Sequence, residues 1–107
     1  MRLRRSLPKL KRPKLFLLRR VAGDSMLPGL PAGTVVVGLR SRRVRKGDIV
    51  MLRHGGADKI KRVAGTRPGG VFVVGDNASH STDSRDFGWL DSRFVLAKVV
   101  WPRGLRS

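Results

Sequence analysis

Apolar positions in this chain fall in short runs, not helical stripes. Thr34–Leu39 is apolar and β-branched, and Asp48–Leu52 follows a polar stretch. Lys59–Val63, Val71–Val74 and Phe94–Val100 complete the set. Each run is bounded by turn residues: Pro31-Ala32-Gly33, Lys46-Gly47-Asp48, His54-Gly55-Gly56, Arg67-Pro68-Gly69-Gly70 and Gly75-Asp76-Asn77. Five short strands at this spacing predict a mostly β domain, a compact partial barrel or sandwich. No 12-residue stretch carries the 3.6 period of a capped helix. The polar segment Asp76–Gly88 reads as a long loop, and loops of that length in small domains are often functional.

The chain has 107 residues, room for one modest core. Residues 1–20 carry nine basic residues and no acidic one, about half of the net charge of +17. With Pro8 and Pro13 breaking it, this stretch reads as a basic N-terminal arm ahead of a domain over 21–107. Its longest apolar run, Leu15–Leu18, is far short of the roughly 20 residues a membrane span needs. An arm of this kind suits an anionic membrane surface or an acidic protein. A basic nucleic-acid-binding module is the other reading of the charge. Six Phe and Trp residues with no tyrosine make a poor stacking surface, so nucleic acid is a weak candidate.

The absence of cysteine excludes disulfides, a thiol nucleophile and cysteine-based metal sites. Two histidines leave little for a metal site, and no cofactor is expected. Nucleophilic chemistry would fall to serine with a base. His54 and His80 are candidate bases that also read as plain surface histidines. A neutral lysine is another, provided burial or nearby positive charge lowers its pKa from about 10.4. If Lys59–Val63 is a strand, Lys59, Lys61 and Val63 share one face and Ile60 and Arg62 the other. Alternation leaves open which face is buried.

Four segments in order resemble the boxes of the type I signal peptidase family, the Ser/Lys-dyad peptidases. They are Ser25-Met26-Leu27-Pro28, Gly47-Asp48-Ile49-Val50, Ile60-Lys61-Arg62-Val63-Ala64-Gly65, and Gly75-Asp76-Asn77 with Ser81, Asp83-Ser84-Arg85 and Gly88. The resemblance implies a mostly β fold and peptide-bond hydrolysis. It implies Ser25 as nucleophile and oxyanion donor through its backbone N–H, Lys61 as general base, and Ser81 orienting the lysine. Asp83 and Arg85 would brace the loop, with Gly75 and Asp76 supporting the site and Met26 and Pro28 beside the substrate. Gly23 stands where some family members place a second oxyanion hydroxyl.

The shortness of the chain and the lack of an anchor before Ser25 resemble the nickel-type superoxide dismutase maturation proteases. On that resemblance the expected substrate is a nickel superoxide dismutase precursor, cut in the cytoplasm to remove a short N-terminal extension. The alternative keeps the chemistry and places it at a membrane surface, on exported proteins.

Overall fold

The computed structural model describes residues 15–41 and 43–104. Among these residues seven strands form one antiparallel sheet: β1 (Phe16–Arg20), β2 (Val35–Leu39), β3 (Ile49–His54), β4 (Ala57–Arg67), β5 (Gly70–Val74), β6 (Leu90–Asp91) and β7 (Val95–Trp101). Their spatial order is β1-β2-β7-β3-β4-β5-β6. The mostly β expectation holds, and the five anticipated strands are β2, β3, β4, β5 and β7. The sandwich version does not hold among the described residues, because all seven strands belong to one sheet.

The middle of the sheet explains its two-sided core. Strand β3 pairs with β4 and β7. Its odd residues Ile49 and Met51 join a cluster with Leu17, Met26, Leu30 and Val36. Its even residues Val50 and Leu52 join a second cluster with Val63, Val71, Val73 and Leu90. A strand buried on both faces reads as an unbroken apolar run, as Ile49-Val50-Met51-Leu52 does. The sheet also curls. Strands β1 and β4 are separated by β2, β7 and β3, yet Arg19 Nε on β1 donates to Asp58 Oδ2 on β4 at 3.2 Å.

Two parts of the sequence reading are corrected. Residues 16–20, assigned above to the arm, form β1, paired residue by residue with β2 from Phe16↔Leu39 to Arg20↔Val35. Leu17 supplies the core contact, while arginines at the exposed edge cost little and discourage edge pairing. Residues 1–14 of the expected arm lie outside the described residues. The Asp76–Gly88 segment is also not wholly loop. A 3₁₀ turn spans Ala78–His80 and a one-turn helix α1 spans Ser84–Phe87. Asp83 caps α1, accepting from Arg85 N, and Asp86 reciprocates by accepting from Asp83 N at 3.0 Å. Gly88 ends the turn at φ 85°, a left-handed conformation that favours glycine.

Candidate active site

Four of the quoted segments converge because the sheet brings β4, the end of β5 and the Gly23–Leu30 turn together. Lys61 lies on β4 opposite Val50 of β3. Both Lys61 and its neighbour Arg62 are buried, which settles the question alternation left open: this part of β4 is covered on both faces. A cavity of about 420 Å³ is lined by Ser25, Met26, Lys61 and His80, with β1 and the Asp58–Ile60 segment along its sides. Ser25 is half-buried at this cavity, Met26 is a core residue showing one side to it, and Gly23 also lines it. Pro28 is exposed and not among the lining residues, so the structure gives it no place beside the cavity.

The lysine amine has a directed partner. Lys61 Nζ donates to Ser81 Oγ at 2.9 Å, and the Ser81 hydroxyl in turn donates to Asp83 Oδ2. Since the serine spends its proton on the carboxylate, it faces Lys61 with a lone pair. The lysine must therefore spend an N–H on it, which fixes the direction of its remaining substituents. Burial pushes the Lys61 amine below the ordinary lysine value. Asp83 and Asp86 pull it back up, while Lys59 and Arg85 push it further down.

Asp83 anchors the chain of bonds from the other end. Its side chain is fully buried and accepts from Arg85 Nε at 2.9 Å, from Arg85 Nη2, and from the Gly75 N–H at 2.7 Å. Burial alone would push this carboxyl up. The donors from Arg85, Ser81 and the Gly75 and Arg85 backbones outweigh it and hold the group well below the usual carboxylate range. Arg85 Nη2 also reaches Gly75 O at 3.1 Å, so the Asp83–Arg85 pair ties the helix α1 to the end of β5. Ser84 adds a further tie, its Oγ accepting from Val73 N at 2.8 Å.

Gly75 is required by space. A Cβ there would stand 2.3 Å from Ser81 Oγ and 2.8 Å from the Ser25 carbonyl oxygen. This glycine lets the chain leaving β5 pass between the serine bonded to Lys61 and the backbone that carries Ser25.

Several contributors were hidden in the sequence. Arg62 makes a two-pronged pair with Asp76, Nε–Oδ1 at 2.8 Å and Nη2–Oδ2 at 2.9 Å, and donates to Gly47 O at 2.7 Å. It thereby joins three of the boxes through one guanidinium. Asn77 holds the Ser25 turn: its backbone N–H donates to Ser25 O at 2.8 Å and its side-chain amide to Asp24 O at 3.0 Å. Both residues stand inside quoted boxes, so the signal was present without the geometry. His54 stacks on Phe87 and His80 lines the cavity. Among the described residues no group of three or more His, Cys, Asp or Glu could hold a metal.

The sequence profile of the Peptidase S24-like family matches residues 1–100. The chain belongs to that family. This S24-like peptidase is 31% identical to mitochondrial inner membrane protease subunit 1 of Schizosaccharomyces pombe, over 82% of its length and 75% of the relative's. It is 32% identical to mitochondrial ATP-independent inner membrane protease subunit 1b of Arabidopsis thaliana, over 74% of its length and 64% of the relative's. The chain thus spans just under two thirds of the second relative. Among the described residues no helix is long and apolar enough to cross a membrane.

Proposed function

We propose that this peptidase is a Ser/Lys-dyad endopeptidase that removes N-terminal extensions from precursor proteins at a membrane surface. The observation that carries the reading is the buried Lys61 amine, bonded to Ser81, at the cavity that Ser25 shares. A lysine works as a base only when neutral, and burial away from water favours that form.

The reaction follows from these groups. Lys61 takes the Ser25 hydroxyl proton as Ser25 Oγ attacks the scissile carbonyl carbon. The developing oxyanion is met by the Ser25 backbone N–H. Lys61 returns the proton to the leaving amine nitrogen, the C–N bond breaks, and an acyl-enzyme ester remains. A water then gives its proton to Lys61 and attacks the ester carbonyl, and the proton passes to Ser25 Oγ as the acid product leaves. Ser81 keeps the lysine aimed throughout, and Asp83 keeps Ser81 aimed.

Substrate choice is argued from the comparisons. The two relatives are named as inner membrane proteases, which favours precursors presented at a membrane over the nickel superoxide dismutase precursor. The net charge of +17 supports attraction to an anionic lipid face. The test is an intact-mass assay with two substrates: an exported precursor with its leader on anionic vesicles, and a nickel superoxide dismutase precursor in solution. The proposal expects the leader to be removed from the first and the second to be left whole. Trimming of the second alone would restore the cytoplasmic maturation reading.

A further inference from the structure

A second lysine stands beside the first. Lys59 shares the Lys61 face of β4, since residues two apart on a strand point the same way, and it lines the same cavity. Its ammonium has two neighbours away from the Ser81–Asp83 relay. Lys59 Nζ lies 3.5 Å from His54 Nδ1 on β3 and 6.0 Å from the centre of the Phe87 ring on α1. His54 and Phe87 are themselves stacked with ring centres 4.0 Å apart, so the two groups that receive the ammonium form one surface. The face of the Phe87 ring offers the ammonium a cation–π contact. Around the pair, β3 contributes His54 and β4 contributes Lys61. The 75–88 segment contributes Asp83, Arg85 and Asp86, of which Asp83 is consumed by Arg85, Ser81 and Gly75. The cavity walls add Arg19, Arg20, Asp24, Asp58 and His80. Asp58 is engaged by Arg19 at 3.2 Å and by Arg53 at 2.9 Å.

We propose that Lys59 is a positioning residue whose ammonium, set beside the His54–Phe87 surface, disfavours a second positive charge on Lys61. Its functional meaning rests on the Ser25/Lys61 reading; its electrostatics do not. Lys59 touches neither Ser25 nor the Ser81–Asp83 relay in any described contact. It acts through the space between two like charges in a partly dry site, where Coulomb interaction is stronger than in water. The direction agrees with the depression of Lys61, to which Lys59 contributes alongside burial. The arrangement divides the labour between two lysines: one sits against an aromatic face and an imidazole, and the other is buried on the same strand face with its amine on Ser81.

The experiment titrates Lys61 directly in the full chain, by NMR of lysine side chains labelled at Cε and Nζ, assigned with Lys61→Arg. Lys59→Met, Lys59→Gln and Lys59→Arg are compared with wild type, alongside pH profiles of kcat/KM on a precursor peptide. The Lys61 midpoint should rise by about one pH unit in Lys59→Met and Lys59→Gln, as loss of one charge two strand positions away implies. It should stay within about 0.3 unit in Lys59→Arg. The rising limb of kcat/KM should move with it, and activity should recover at alkaline pH. An unchanged Lys61 midpoint in both neutral variants, with wild-type melting temperatures, overturns the proposal. If the midpoint moves while no protein cleaves peptide, the Ser25/Lys61 reading fails and the electrostatic role stands.

Discussion

At the scale of single residues, the site places a basic side chain where a charge is unwelcome, and stability should record that cost. Burial depresses the Lys61 amine in the folded chain below the ordinary lysine value of 10.5. Between the folded value and 10.5 the unfolded chain binds the extra proton, so stability rises with pH across that window. Lys61→Met should therefore raise the melting temperature at pH 7 while abolishing cleavage. The gain should shrink toward pH 10. Differential scanning calorimetry at several pH values checks this, and a lower melting temperature at pH 7 counts against a lysine whose charge is disfavoured by burial. Gly75 gives a second residue-scale expectation. Its replacement by Ala puts a methyl into the space of Ser81 and the Ser25 carbonyl. Cleavage should fall about 100-fold, since displacements near 1 Å at a reacting centre cost that much. Steady-state kinetics beside a melting curve separates this from unfolding. The residue types at these positions were legible from the boxes; the reason for Gly75 was not, because a forbidden Cβ exists only once β5 and the Ser25 turn are in place.

At the scale of elements, the Asp83-centred network connects α1 to the end of β5. Its carboxyl is depressed, so its contribution is fully present above the ordinary value of 3.8 and is lost as pH falls below it. Asp83→Asn should cost about 2–4 kcal/mol at pH 7, since it loses a buried charged acceptor and turns a donor toward Arg85 or Gly75 N–H. The difference from wild type should narrow as pH falls below 3.8. Urea unfolding at pH 7 and pH 3 reads both numbers, and an equal gap at both pH values contradicts the ionised role. Sequence pattern located β2, β3, β4, β5 and β7 because each is a run of β-branched or apolar residues between turns. It missed β1 because Phe16-Leu17-Leu18-Arg19-Arg20 buries only Leu17 deeply and sits in a charged tract. It missed β6 because two residues, Leu90 and Asp91, make no pattern. It took α1 for loop because four residues held by a capping box are too few for a period.

At the scale of the molecule, the chain carries a net charge of +17, and its described part exposes Phe16, Leu18 and Trp101. Sedimentation with anionic vesicles should be strong at 20 mM salt and lost by about 0.5 M, where screening lengths shrink to a few ångströms. Neutral vesicles should not bind at either salt. Absence of binding to anionic vesicles at low salt contradicts the membrane-surface placement and leaves the chemistry untouched. Charge and its sign were readable from composition; that β1 belongs to the folded body was not, because pairing with β2 is a long-range fact.

The measurement that bears most directly on the central claim is an intact-mass time course of precursor cleavage by wild type, Ser25→Ala and Lys61→Arg. The account predicts processing by wild type alone, with each variant slower by about 10³-fold or more, since a triad or dyad member acts as part of a unit. Lys61→Arg keeps the charge and the reach but cannot serve as a neutral base. Processing at the wild-type rate by either variant contradicts the dyad.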